Sequence, residues 1–279
     1  MTEPSPHHEL DLAPELATEL LVSFLREELG AAGFERCVVG LSGGIDSALS
    51  AALCAKAFGP ENVLAVLMPY RTSNPDSRAH AELCAAHFGL QTRLVDISAM
   101  ADGYLEAGDV TDGTRRGNVM ARSRMVVLYD LSEEWRGLVI GTSNKTEILL
   151  GYSTQFGDSA HAVNPLGDLY KHQVYQLSRH LEVPAPLIEK APSADLVAGQ
   201  TDEDDLGFSY ADADRVLYRL VDQRYRVQEL LEEGFDERVV REVARRIVRN
   251  QYKRVPPVVA KLSQRTITHD FRYLRDWGI

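Results

Sequence analysis

Apolar and polar positions along this chain follow a helical rhythm broken by short, continuously apolar runs. Between residues 15 and 30 (ELATELLVSFLREELG), Leu16, Leu20, Leu21, Phe24 and Leu25 recur at helical spacing, and Gly30 supplies a stop. Cys37-Val38-Val39-Gly40-Leu41 is a compact apolar run and predicts a buried strand. Ser47 to Phe58 is rich in alanine and leucine and closes at Gly59-Pro60, which predicts a helix. Val63 to Met68 predicts a second strand, and Ser73-Asn74-Pro75 opens a helix that runs to Gly89. Thr92 to Ile97 predicts a third strand. Asp102 to Gly117, rich in Gly, Asp and Thr, predicts a mobile loop, and Asn118 to Trp135 a helix. Leu138-Val139-Ile140 is a fourth strand that ends at Gly141.

Strand and helix alternate with short connections. That pattern predicts an α/β fold, a doubly wound parallel sheet with helices on both faces. Gly151 to Gly167 lapses into Gly, Ser, Asp and Asn and predicts an active-site loop. Tyr170 to Leu181 predicts a helix stopped by Pro184 and Pro186, and the acidic Asp195 to Gly207 a further loop. A C-terminal helical extension follows, with helices around 211–232 and 236–251 and then a tail. The expectation is one domain over 1–279, its core sheet within about 35–195 and its C-terminal helices and tail within about 208–279.

Composition narrows the function. Of 279 residues 44% are hydrophobic and 25% charged, enough to bury a full core. No apolar run approaches the ~20 residues of a membrane span, and the polar stretch Met1 to Pro14 lacks the features of a secretion signal. A cytoplasmic protein without a membrane partner is expected. A formal net charge of −11 argues against a nucleic acid partner, although basic residues crowd between Arg238 and Arg275 and leave a local anion site open. Cys37, Cys54 and Cys84 are widely spaced in apolar contexts and read as buried hydrophobes, not as a metal or redox set.

The strongest local signal is Gly40-Leu41-Ser42-Gly43-Gly44-Ile45-Asp46-Ser47, between the first strand and the helix after it. Glycines permit a sharp turn and close approach of a ligand, and the helix that follows offers unpaired N–H groups suited to phosphate. Ser42 and Ser47 add hydroxyls. Asp46 would repel phosphate unless a divalent cation stood between them, so Mg²⁺ is implied. No lysine follows the glycines, which excludes a Walker A loop. The stretch resembles the PP-loop of ATP pyrophosphatases, Ser-Gly-Gly-x-Asp-Ser. That resemblance implies ATP as co-substrate, cleaved to AMP and pyrophosphate.

Later segments specify the resemblance. They are Gly141-Thr142-Ser143-Asn144-Lys145-Thr146-Glu147, Gly151-Tyr152-Ser153-Thr154-Gln155-Phe156-Gly157-Asp158, Asn164-Pro165-Leu166, Leu169-Tyr170-Lys171, Lys190-Ala191-Pro192-Ser193-Ala194-Asp195-Leu196 and Gly199-Gln200-Thr201-Asp202-Glu203-Asp204-Asp205-Leu206-Gly207. In this order and spacing the chain, from about residue 20 to its end, resembles the NAD synthetase family. The resemblance implies amidation of nicotinic acid adenine dinucleotide with ammonia, through an adenylate. It implies that Asp46 and Glu147 ligate magnesium and that Thr142, Lys171 and Ser193 contact ATP beside the loop. Arg122, Gln155, Asp158, Tyr252 and Lys253 fall at positions that contact the dinucleotide, with Asp158 and Lys171 the catalytic candidates. It also implies a homodimer with the dinucleotide at the subunit interface, the helix around Met120 to Trp135 being a candidate surface.

The chain departs from the family pattern at Gln155, where a substrate-binding lysine is usual, and at Ala162, where a second aspartate is usual; Tyr252 replaces a histidine. The paired loss of one cation and one anion fits a compensated change within a subgroup. It also fits a PP-loop enzyme that amidates or thiolates a different small carboxylate. His161 is the one histidine in this stretch and a candidate for the lost contact. Only about 35 residues precede the first strand, too few for the nitrilase-like domain of glutamine-using relatives, so the expected donor is ammonia, free or supplied by a separate glutaminase subunit. The loops at 102–117 and 197–207 are expected to order on ligand binding and exclude water.

Overall fold

The computed structural model of the chain describes residues 8–192 and 201–266. Four strands, β1 (Cys37–Gly40), β2 (Val63–Leu67), β3 (Gln91–Leu94) and β4 (Leu138–Ile140), form a parallel sheet in the order β3-β2-β1-β4. Val39 lies opposite Ala65 on one side and Ile140 on the other. One further parallel bridge, Ile140 to Val163, extends the sheet beyond β4. The central strands are apolar because both their faces are covered.

Five helices accompany the strands: α1 (Pro14–Ala31), α2 (Ile45–Phe58), α3 (Pro75–Phe88), α4 (Ser98–Ala107) and α5 (Gly113–Trp135). Side chains alternate across the sheet, so Cys37, Val39, Val63 and Ala65 pack with α1, α2 and α3 in one core. Val38, Leu64 and Val66 pack on the opposite face with Ala101, Leu105, Met120, Val127 and Leu131 of α4 and α5. Helices on both faces and parallel strands agree with the expectation from the pattern. The chain moves outward from β1 through β2 to β3, then returns to the other side of β1 as β4. The C-terminal ends of β1 and β4 therefore flank a topological switch point, where open α/β sheets leave a crevice.

Beyond β4 come α6 (Lys145–Leu150), α7 (Lys171–His180) and α8 (Ala185–Glu189), then α9 (Asp202–Leu206), α10 (Tyr210–Leu217), α11 (Val227–Glu232) and α12 (Glu237–Arg249). A third apolar cluster joins Leu150 of α6 and Tyr170 to Leu206, Tyr210, Leu217, Leu230, Val240 and Val243. The C-terminal helices are thereby packed onto the segment that carries Glu147 and Lys171.

Three expectations need correction. The loop placed at 102–117 is mostly helical, with only 108–112 between α4 and α5. Ala101 and Leu105 are buried, Asp102 accepts a hydrogen bond from Tyr70 Oη at 2.7 Å, and Asp112 caps α5 by accepting from Arg115 N at 2.8 Å. The Gly, Asp and Thr residues between 108 and 114 are helix-end chemistry, while Asp102 lies inside α4. The acidic stretch up to Gly207 also contains a helix, α9, because Thr201 and Asp204 form a capping box and acidic side chains suit a helix N-terminus. The single helix around 211–232 is broken, with a π-turn at Tyr218–Asp222 and Arg224 at φ +59° before α11. On α12, Arg241 pairs with Glu237, and Arg245 and Arg246 pair with Glu242, so these three arginines are neutralised within the helix.

Candidate active site

The turn from β1 into α2 is held by its own serines. Ser42 N donates to Ser47 Oγ at 3.2 Å, Gly44 N donates to Ser42 Oγ at 3.3 Å, and Ser47 Oγ donates to the carbonyl of Gly44 at 2.9 Å. The two hydroxyls lie 3.1 Å apart. Gly43 adopts φ +78°, and a Cβ there would stand 2.0 Å from the carbonyl oxygen of Ser77 on α3. Only glycine fits. No side chain caps α2, so its N-terminal N–H groups and the positive end of its dipole face the crevice.

The crevice holds about 1050 Å³ and is walled by the turn, the C-terminal ends of the strands, and parts of α3, α5 and α6. Gly40, Leu41, Ser42, Gly44, Ile45, Asp46, Ser47, Thr142, Glu147, Asp158, Lys171, Tyr252 and Lys253 all line it. Gly43 is turned against α3 instead. Ser193 lies outside the described residues.

At its floor Lys171, 2% exposed at the start of α7, sends Nζ to Asp46 Oδ2 at 2.5 Å and lies 3.5 Å from Glu147 Oε1. Asn144 organises the carboxylates. Its Nδ2 donates to Asp46 Oδ1 at 2.8 Å, while its Oδ1 accepts from Glu147 N at 2.9 Å and its own N donates to Glu147 Oε2 at 3.3 Å. These last two bonds form the capping box that starts α6. Asn144 to Glu147 reads N-x-x-E, a signature from which this orienting role could have been inferred. The Lys171 Nζ also stands 5.0 Å from the centre of the Tyr210 ring. Thr146 Oγ1 accepts from Lys171 N at 3.0 Å and donates to the buried Asp214 at 2.5 Å; Asp214 also accepts from His172 N. Sequence reasoning missed Asp214 and Tyr210, whose link to the site arises only from long-range packing.

Burial pushes the Glu147 carboxyl up to about 8, with the Asp46 charge adding to the rise and Lys171 opposing it. Burial alone would lower Lys171, but Asp46 and Glu147 outweigh it and hold the ammonium form. Because the folded state holds the Glu147 proton more tightly than the unfolded chain, this residue's contribution to stability falls as pH rises from about 4.5 to about 8. Glu147→Gln should therefore leave the thermal midpoint near the parent's at pH 5 and raise it relative to the parent at pH 8.5. A difference independent of pH would contradict the assignment.

Two carboxylates offer hard oxygen donors suited to Mg²⁺. Among the described residues no group of three or more His, Cys, Asp or Glu could hold a metal, so the shell needs phosphate oxygens and water to complete it. The donor set fits a magnesium ion that binds together with a nucleotide.

The residues on the far side of the crevice are less gathered. Arg122 is exposed on α5 and donates to the carbonyl of Gln155 through Nη2 at 3.2 Å; neither residue lines the crevice. Asp158 accepts from Thr154 N at 2.7 Å, and the protein crowded around it raises its carboxyl despite access from the crevice. Lys253 Nζ donates to the carbonyls of Gly151 and Ser153 at 2.7 and 2.6 Å, pinning the loop after α6. Tyr252 is 56% exposed. His161 packs its ring against Gly141, where a Cβ would meet it at 2.7 Å, and does not line the crevice.

Against known proteins, the family model "NAD synthase" matches residues 17–257. The NH(3)-dependent NAD(+) synthetase of Trichlorobacter lovleyi is 54% identical over 269 residues, which is 96% of this chain and 98% of that protein. The solved NH3-dependent NAD synthetase from Campylobacter jejuni superposes with a TM-score of 0.77 at 33% identity, covering 90% of this chain and all of the other. NMN synthetase from Francisella tularensis superposes with a TM-score of 0.80 at 30% identity, covering 90% and 99%. Among the described residues no helix is long and apolar enough to cross a membrane.

Proposed function

The chain belongs to the NAD synthase family, and from that premise we propose that its crevice carries out the ATP-dependent amidation of nicotinic acid adenine dinucleotide by ammonia. The dinucleotide's carboxylate attacks the α-phosphorus of ATP, the bond to the β-phosphate breaks, and pyrophosphate leaves. Ammonia then attacks the activated carbonyl, releasing AMP and the amide. The observation that carries this reading is the Asp46–Lys171–Glu147 constellation under the uncapped N-terminus of α2, at the switch point of the sheet.

In this reading the serine turn and the first N–H groups of α2 bind the departing diphosphate. Asp46 and Glu147 hold Mg²⁺, which when bound supplies charge neutralisation at the phosphates. Lys171 adds a fixed positive charge, Thr142 and Ser193 contact the nucleotide, and Asp158 holds the incoming ammonia. Arg122, Gln155, Tyr252 and Lys253 serve the dinucleotide. The rim positions of Arg122 and Gln155 favour a homodimer in which a second copy completes that side, and Val126 and Tyr129, exposed on the same helix, supply apolar contact area. Sedimentation should give about twice the 31.0 kDa chain mass; a monomer at micromolar concentration would count against the homodimer. With small-molecule substrates only, a cytoplasmic setting fits the absence of a membrane-crossing helix among the described residues.

The test is product identification by mass after incubation with ATP, Mg²⁺, ammonium and the dinucleotide. NAD, AMP and pyrophosphate in equal amounts are expected, and ADP in place of AMP would overturn the reading. Gln155, where the family resemblance leads one to expect a substrate-binding lysine, together with the superposition on NMN synthetase, supports one second reading, a smaller carboxylate substrate such as the mononucleotide. Offered in competition with equal concentrations of both, the chain should amidate the dinucleotide faster. Gln155→Lys should lower KM for the dinucleotide several-fold, and a higher KM would argue that the loop has been rebuilt for something else.

A further inference from the structure

The phosphate turn also packs against α3, and that wall carries an unassigned cation. Ser77, buried in the first turn of α3, presses its carbonyl against Gly43. Its hydroxyl accepts a hydrogen bond from Lys190 Nζ at 2.9 Å. Lys190 follows α8, is half-buried, and lines the same crevice as Ser42, Gly44 and Ser77.

The charge balance of Lys190 differs from that of its neighbours. Lys171 faces two carboxylates, and Arg78 pairs with Glu82 at 2.8 Å. Lys253 is tied down by two backbone carbonyls. Lys190 has one neutral hydroxyl as its polar partner and forms no ion pair among the described residues. A partly desolvated ammonium that meets no counter-charge among the described residues favours an anion beside it. The nearest place for that anion is the mouth of the turn, whose N–H groups already select phosphate.

We infer that Lys190 is a pyrophosphate-binding residue: it leaves Ser77 Oγ to meet the terminal phosphates of ATP and holds the pyrophosphate as it departs. This rests on the proposed cleavage of ATP to AMP. As the dinucleotide's carboxylate oxygen bonds to the α-phosphorus, the electron pair of the breaking bond passes to the bridging oxygen, which leaves on pyrophosphate. Lys190 transfers no proton; it supplies charge where negative charge gathers, from the α3 side of the turn.

Lys190→Gln tests this, because glutamine keeps a donor for Ser77 and removes the charge. The parent is assayed first for AMP and pyrophosphate; if it forms ADP, the reading of the whole site falls, and this inference with it. Given normal parent products, Lys190→Gln should raise the inhibition constant of pyrophosphate at least tenfold and lower kcat ten- to a hundredfold. Inhibition by AMP and KM for the dinucleotide should stay within twofold, and Lys190→Arg should recover most of the loss. Unchanged pyrophosphate inhibition sinks the inference alone. So does equal weakening of AMP and pyrophosphate with a lowered thermal midpoint, which is the signature of a structural strut.

Discussion

Asp46→Asn should lower pyrophosphate release by about 10³-fold or more while leaving the fold in place. The two side chains have nearly the same shape, Lys171 retains Glu147 as a partner, and the cap that Asn144 makes on α6 does not depend on Asp46. What disappears is half of the anionic donor set proposed to hold the divalent cation, and its charge with it. Losing one group that stabilises developing charge typically removes about 10²–10³ in kcat, and the loss of a metal ligand adds to that. Circular dichroism and the thermal midpoint should match the parent within a few degrees. Turnover within tenfold of the parent would mean that the cation, if one is used, sits elsewhere.

Lys171→Met should be nearly as damaging, for a different reason. Lys171 is buried and flanked by Asp46, Glu147 and the Tyr210 ring, so methionine keeps the bulk and removes the charge. The fixed cation proposed to face the phosphates is then gone, with a loss of about 10²–10³ in kcat expected. The two carboxylates are also left facing one another. Mg²⁺ alone should therefore raise the thermal midpoint of Lys171→Met by several degrees while barely moving that of the parent. Lys171→Arg should restore only part of the activity, because a planar guanidinium does not reproduce the point charge that Lys171 Nζ sets between Asp46 and Glu147. A midpoint unaffected by Mg²⁺ in the methionine variant would contradict the assignment of these carboxylates to a metal.

The sheet was legible because its strands are short apolar runs punctuated by glycine, and the turn because its residues are constrained by backbone geometry as much as by ligand. Asp46, Glu147 and Lys171 fall together because two lie just past strand ends and the third starts a helix, positions that sequence spacing can locate. Asp214 and Tyr210 were not legible as site residues, and Lys190 was legible only as part of a motif, without a role. Each reaches the site through contacts spanning many residues, such as Lys190 to Ser77 across 113 positions, and no local periodicity encodes such a contact. The misread loop at 102–117 has another origin. Asp102 and Asp112 resemble turn formers in sequence, and only the partners Tyr70 and Arg115 reveal one as buried and the other as a cap. The rim is the least gathered part of the site, since Arg122 and Gln155 bond to each other along one chain.

The turn between β1 and α2 has a consequence for binding thermodynamics. Its serine hydroxyls are cross-braced and Gly43 is wedged against the backbone of α3, so neighbouring protein fixes its shape. A nucleotide meeting such a surface has little chain entropy to remove there, and association should be correspondingly insensitive to the stiffness of that segment. Discrimination between nucleotides must then arise in the parts that still have freedom to rearrange.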